Sequence, residues 1–289
     1  ITYQGFCMDT GAIVAEAQKK GIKFLVDEAH GPHLAFSSKL PHTAGDFPVE
    51  GWVQSPHKML TSLTQSAWLH TRGTPDFRRR VMSNLALVMS SSPSYILMAS
   101  LDMARGEFEA RGETLVERFL ELAQGARSKI NHRTPFYCIG EELRGKAGIF
   151  DIDLSRLMVN VSIAGYTGFE IEGALRKDHD IYAEYADYNN VYFLVGSSTQ
   201  CQDLERLVKA LSGFRKRKRL LATPMVYGET AEVAISPRRA FFAEGEVVPF
   251  DLARGRIAKE ALVPYPPGIP LVMPGEVIGA LHIETVQHL

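Results

Sequence analysis

The chain has 289 residues, 45% apolar and 22% charged, which is enough for one large globular domain or two smaller ones. A net charge of -1 excludes a global charge field as the basis of function, so a small molecule is the expected partner, with no nucleic acid and no membrane surface. There is no run of about 18 apolar residues and no basic segment leading into an apolar stretch with a cleavage site, so a cytoplasmic location is expected.

Asp9 to Lys20 has apolar residues at helical spacing, with Asp9 as N-cap and Gly21 positioned to end the helix. Lys23 to Asp27 is a short apolar run closed by an acid, predicting a strand buried on both faces of a parallel sheet. Helix followed by buried strand is an α/β pattern. Trp52 to Gln54 and Ser66 to His70 are predicted as further short strands. After Ser92-Pro93 the pattern predicts helices over Tyr95 to Arg111 and Thr114 to Ile130, with Gly112 as a break.

Glycine and proline punctuate Asn131 to Gly148 and suggest a boundary near residue 131. A small α+β unit is predicted next. Its strands are Arg156 to Ile163 and Val191 to Val195, and its helices run from Thr167 to about Lys177 and from Asp203 to Phe214. The basic run Arg215 to Arg219 is read as a solvated helix end rather than a nucleic-acid patch, because cations favour that end of the helix dipole. From Ala222 the sequence is rich in proline and glycine, with Ser236-Pro237 opening a short helix and a turn over Pro264 to Pro270. Cys7, Cys138 and Cys201 are scattered and odd in number, which fits neither a zinc site nor a disulfide framework, and each is read as a small core residue. The chain opens on Ile1-Thr2-Tyr3-Gln4-Gly5 rather than methionine, as expected of a cut through a domain.

Two segments carry the chemistry: Val26 to His33, and Gln54-Ser55-Pro56-His57-Lys58. An acid at the end of a buried strand needs a cationic partner, since an isolated buried carboxylate is costly. A protonated pyridine nitrogen is one such partner. Lys58, flanked by Ser55, His57 and Thr61, is placed to form an imine with an aldehyde cofactor. Taken singly these residues also read as a surface lysine, a turn acid and satisfied structural histidines, and His42, His70 and His132 are assigned to that last class. A metal site at His30 and His33 is not expected, because a Gly-Pro turn separates them and no matched pair follows. A serine-hydrolase reading lacks its Gly-x-Ser-x-Gly elbow.

Taken in order, Asp27-Glu-Ala-His-Gly31, Ser55-Pro-His-Lys58, Leu63-Thr-Gln65, Ser92-Pro-Ser-Tyr95, Pro264-Tyr-Pro-Pro-Gly-Ile-Pro270 and Pro274-Gly-Glu276 resemble motifs of the Orn/Lys/Arg decarboxylases. That is the group III family of fold-type I pyridoxal-phosphate enzymes, and the resemblance runs from Tyr3 to at least Glu276. It implies a mostly parallel, aminotransferase-like large domain whose C-terminal part is residues 1–130, a small α+β domain at 131–221 and a family-specific subdomain at 222–289. It implies pyridoxal 5'-phosphate as cofactor, covalently held by Lys58, with Asp27 on the pyridine nitrogen. Ala29 would lie on a ring face, His30 near the phenolic side, and Ser55 and the catalytic His57 near the phosphate. Ser90 and Ser91 would reach a neighbouring subunit's phosphate, implying a homodimer with shared sites, and Glu276 or Glu260 would read the substrate's distal cation.

The implied reaction is decarboxylation of arginine first, then lysine or ornithine, in polyamine biosynthesis. The family's glycine-rich phosphate turn and ring-stacking residue have no counterpart here, so the resemblance predicts weak cofactor binding by this chain alone. The alternatives are another fold-type I reaction, by an aminotransferase or acyltransferase, and an inactive truncated paralogue acting as an assembly partner.

Overall fold

The computed structural model describes residues 1–218, 230–265 and 268–288. The chain divides into two compact units, Ile1–Arg219 and Leu220–Leu289. Arg219 of the basic run, the expected boundary at 221–222, and Pro266 and Pro267 of the proline-rich turn lie outside the described residues.

The first unit begins with β1 (Phe6–Cys7), α1 (Thr10–Lys19), β2 (Leu25–Asp27), β3 (Gly51–Gln54), α2 (Pro56–Met59), β4 (Trp68–Thr71), α3 (Pro75–Val88) and α4 (Tyr95–Arg133). It continues with β5 (Tyr137–Ile139), β6 (Asp151–Ile152), β7 (Arg156–Asn160), α5 (Gly168–His179), β8 (Tyr185–Ala186), β9 (Asn190–Leu194) and α6 (Cys201–Ser212). The caps follow the predicted logic. Asp9 accepts a hydrogen bond from the Ala12 N–H at the start of α1, Gly21 takes φ +64° just past its end, and Thr167 forms a capping box with Glu170 on α5.

β2 and β3 are parallel, with Asp27 opposite Val53, and β4 joins β3 antiparallel. A second sheet, in the order β5-β7-β9-β8, is antiparallel throughout, and β1 pairs with β6. The unit is thus α/β, with its parallel pairing confined to β2 and β3 among the described strands. Leu157, Val159 and Val191 in the second sheet are fully buried in one cluster with Phe108, Phe119 and Ile130 of α4 and Leu211 of α6. This cluster joins the segments on either side of residue 131.

The reading of Lys23 to Asp27 as a strand buried on both faces is corrected. Leu25 is 65% exposed and Asp27 is exposed, whereas Val26 packs with Val14, Ala44 and Val49. β2 pairs with β3 alone among the described strands and is covered on one face only, so its side chains alternate between core and solvent. Among the described strands, β7 and β9 are the ones buried on both faces, as β7 illustrates. There Leu157 and Val159 enter the main cluster while Met158 packs with Tyr185 and Tyr192.

α4 runs through the predicted break with one departure from helical geometry, at Arg111 (φ -145°, ψ 18°). Gly112 is needed there because a Cβ would stand 2.6 Å from the Phe36 ring. Among the cysteines, Cys138 is buried and Cys7 half-buried, and burial pushes their thiols up to about 11 and about 12. Cys201, expected in the core, is exposed. It opens α6 on the solvent side, while Leu204, Leu207, Val208 and Leu211 supply the buried face. Arg217 of the basic run stacks on the Tyr166 ring at 3.9 Å and pairs with Glu170 in the first turn of α5.

In the second unit Ser236 caps α7 (Pro237–Phe242), and α8 spans Ala280–His288. Antiparallel bridges join Val233 to Glu276, Ile257 to Val277 and Leu262 to Val272. Gly275 has φ +93°, and a Cβ there would lie 2.2 Å from the Ile235 carbonyl oxygen, so Pro274-Gly-Glu276 encodes a turn that only glycine allows. No helix among the described residues is long and apolar enough to cross a membrane.

Candidate active site

Because β2 and β3 run in the same direction, the turns that follow them leave from the same edge of the sheet, where α/β sheets gather their functional groups. Backbone bonds hold the two turns together: Glu28 N–H donates to the Val53 carbonyl at 2.9 Å and Ser55 N–H to the Ala29 carbonyl at 3.2 Å. Lys58, on the short helix α2, reaches across the gap, its Nζ 3.0 Å from His30 Nε2. The ammonium also lies 5.5 Å from the centroid of the Tyr3 ring, and that ring stands 4.1 Å from the imidazole of His30.

His30 is only 5% exposed, and burial, followed by the charges of Arg156 and Lys58, pushes its pKa down to about 3. A neutral imidazole facing an ammonium accepts at Nε2 and therefore carries its proton on Nδ1. That Nδ1 is buried without a partner. His57 also carries a proton on Nδ1, for a different reason: this nitrogen lies 2.9 Å from the Ser66 carbonyl oxygen, which can only accept.

Asp27 commits one carboxylate oxygen to the Ala29 N–H at 2.9 Å. It lines a cavity of about 260 Å³ together with Glu28, Leu25, Pro41 and His42, and Lys58 is not among the walls. Ser55 and His57 flank Lys58 and are half-buried, as is Ala29 on the neighbouring turn. Ser90 and Ser91 stand exposed between α3 and α4, the Ser90 hydroxyl accepting the Ser92 N–H at 3.1 Å. Glu260 and Glu276 belong to the second unit. Glu260 is exposed, and Glu276 accepts the Met273 N–H at 2.7 Å. Lys58 and His30 are therefore in contact, Asp27 and Ala29 occupy the adjoining strand end, and the serines lie on another segment.

Sequence reasoning passed over several polar residues. Glu28 is buried, and its carboxylate accepts from the Thr43 hydroxyl at 2.8 Å, the Ala44 N–H at 2.7 Å and the Gln54 amide at 2.6 Å. Burial raises its pKa above the ordinary carboxylate value. Gln54 in turn accepts from His70 Nε2 at 3.1 Å, and the His70 ring stacks on Trp52. Asp153 and Arg156 form a second buried set with His33. The available signal was Asp153-Leu-Ser-Arg156, an acid and an arginine spaced to pair at the entrance of a buried strand. No group of three or more metal-ligating side chains occurs among the described residues.

The family model for the Orn/Lys/Arg decarboxylase major domain matches residues 1–156, and that for the family's C-terminal domain matches residues 221–289. The chain is 36% identical to an arginine decarboxylase of Bacillus subtilis (strain 168) over 290 residues, 99% of this chain and 59% of the relative. It is 35% identical to an arginine decarboxylase of Bacillus anthracis over 291 residues, again 99% of this chain and 59% of the relative. A lysine decarboxylase structure from Francisella novicida superposes with a TM-score of 0.79 at 19% identity, covering 99% of this chain and 52% of that one. The constitutive lysine decarboxylase of E. coli gives a TM-score of 0.77 at 18% identity over the same shares. At those identities the structural likeness speaks for the fold alone. The chain spans about 59% of the length of the curated relatives it matches, and with its family models covering residues 1–156 and 221–289, it belongs to the Orn/Lys/Arg decarboxylase family.

Proposed function

We propose that the protein to which this chain belongs is a pyridoxal-phosphate-dependent decarboxylase of a basic amino acid, arginine first and then lysine or ornithine. The observation that carries the reading is Lys58, an amine held by a neutral imidazole at the end of a strand that runs parallel to the one bearing Asp27. The preference for arginine rests on curated relatives named arginine decarboxylase at 35% and 36% identity.

The residues fit the cofactor in kind. Lys58 offers an amine for its aldehyde, Asp27 a carboxylate for its ring nitrogen, Ala29 a methyl for a ring face, and Ser55 and His57 donors for its phosphate. His30 also brings a buried nitrogen that lacks a partner. When bound, the cofactor supplies an electron-poor ring that accepts the electron pair left on the α-carbon as carbon dioxide departs. Asp27 would hold a proton on the ring nitrogen and so preserve that capacity. Lys58 would provide the covalent attachment, and in the free protein His30 accepts a hydrogen bond from its amine. His57, the residue before Lys58, is fixed through Nδ1 to the Ser66 carbonyl.

The first unit, on this reading, holds the C-terminal part of a fold-type I large domain at 1–130 and a small domain at 131–221, and residues 222–289 supply Glu276 or Glu260 for the substrate's distal cation. A homodimer fits the exposed apolar stretch through α3 and into α4, where Leu87 and Val88 are each 82% and Tyr95 80% exposed, next to Ser90 and Ser91. A cytoplasmic role in polyamine biosynthesis follows from the same assignment.

The test is to add pyridoxal phosphate to the natural protein and follow the imine absorbance, then to assay carbon dioxide release from labelled arginine, lysine and ornithine. A band abolished by Lys58→Ala and turnover led by arginine are expected. A band that survives Lys58→Ala, or amino transfer without carbon dioxide, would overturn the reading.

A further inference from the structure

Beneath the Lys58 and His30 pair lies a buried ionic set that the proposed mechanism does not use. Asp153 and His33 are fully buried, and the side chain of Arg156 is 2% exposed. His33 Nε2 and Arg156 Nε both meet the same Asp153 oxygen, at 2.9 and 3.0 Å, while the other oxygen accepts the Ser155 N–H at 2.9 Å. Burial alone would raise the pKa of Asp153, but His33 and Arg156 outweigh it and hold the carboxyl far below the ordinary range. The guanidinium then turns one Nη outward, and this nitrogen donates to the carbonyl oxygen of His30 at 2.7 Å, bridging 126 positions of sequence.

The same residue is anchored from behind. Arg127 of α4 donates to the carbonyls of Ile139, Leu154 and Arg156 at 3.0, 3.1 and 2.7 Å, which fixes the entrance of β7 where Arg156 sits. A continuous series of bonds thus runs from the long helix through Arg156 to the His30 peptide, and from the His30 ring to Lys58. Burying an arginine and an aspartate costs several kcal/mol of desolvation per ion, and replacement by apolar side chains is often neutral or stabilising, so stability alone is a weak reason for the pair. The fork geometry of a guanidinium, which satisfies an anion and a carbonyl together, is something an ammonium cannot reproduce.

We infer that Arg156, oriented by Asp153 and His33, is a positioning residue that fixes the His30 turn so that its imidazole restrains the amine of Lys58. The inference rests on the proposed role of Lys58, but its measurement needs no cofactor. Arg156→Lys retains a cation for Asp153 and loses the simultaneous bond to His30; Arg156→Gln loses the ion pair as well.

In the natural protein without added cofactor, each lysine is labelled by reductive methylation and the rate at Lys58 is read by peptide mass spectrometry against exposed Lys20. Losing the restraint releases the half-buried amine, so Lys58 labelling should rise about tenfold in Arg156→Lys, the scale of one charge-assisted hydrogen bond, and by a similar factor in His30→Ala. Arg156→Lys should keep the wild-type melting temperature more closely than Arg156→Gln. A merely structural ion pair predicts that Arg156→Lys restores melting temperature and Lys58 labelling together, and that outcome would overturn the inference. If Arg156→Gln unfolds, the labelling of Arg156→Lys decides by itself. Should the wild type form no imine with pyridoxal phosphate while Lys58 labelling still depends on Arg156, the cofactor reading fails and the positioning role stands.

Discussion

The sheet β5-β7-β9-β8 and the segment from α3 into the first turns of α4 belong to the same unit and sit at opposite extremes of burial. Leu157 and Val159 of β7 have no exposed surface. In α3 no residue is buried, and Leu87, Val88 and Met89 at its end are 82%, 82% and 55% exposed. Both segments are rich in apolar side chains. An apolar pattern therefore announces that a face calls for cover, but it does not say which surface supplies the cover.

The contrast can be broken most severely at Asp153. Asp153→Ala leaves the Arg156 guanidinium and His33 buried without their anion, and a loss of about 3–5 kcal/mol in denaturant unfolding is expected. Leu157→Ala opens a cavity in the packed sheet and should cost about 2–5 kcal/mol. Leu87→Ala at the exposed end of α3 should stay within about 0.5 kcal/mol in the monomer, as is usual for surface changes. A comparable loss at both leucines would show that the α3 face is covered in solution, and sedimentation at several concentrations would identify a second copy as the cover.

A sharper version uses pH. His30 has a folded pKa of about 3, below its ordinary 6.5, so the folded protein keeps the ring neutral while the unfolded chain takes up a proton. The stability linked to that ring is present above 6.5 and is lost as pH falls from 6.5 towards 3. Asp153 is also depressed, below its ordinary 3.8, so its contribution is present above 3.8 and disappears only at lower pH. Thermal melts at about pH 7, 5 and 4 should show the wild type losing stability through this window and His30→Gln losing less; parallel curves would remove His30 as the titrating group. A modest effect concerns caps. Thr167→Ala breaks the capping box of α5 and should cost about 1 kcal/mol.

Local rules made much of the fold legible. Asp9, Thr167 and Ser236 mark the helix starts at which the structure uses them, and Gly112 adjoins the distortion of α4. α3, β5 and β8 were not anticipated. The exposed apolar residues of α3 trace no core-facing stripe, and β8 is too short to show alternation. At the candidate site, Lys58 and His30 were named from their motifs, and they touch. Tyr3, Asp153 and Arg156 went unassigned because each acts across a large sequence separation, which neither period nor motif encodes.

The parallel register of β2 and β3 has a further consequence for length variation among related sequences. Asp27 stands opposite Val53, the backbone of Ser55 is tied to Ala29, and the Lys58 N–H donates to the Ser55 carbonyl. Residues 54–58 consequently have no slack, and one inserted residue would carry the lysine away from its imidazole. The exposed bend at Ser38 and Lys39 has no such ties to the strand ends, so insertions and deletions should accumulate there. When gapped relatives are aligned, a gap placed inside 54–58 is then an error of alignment rather than a difference between proteins.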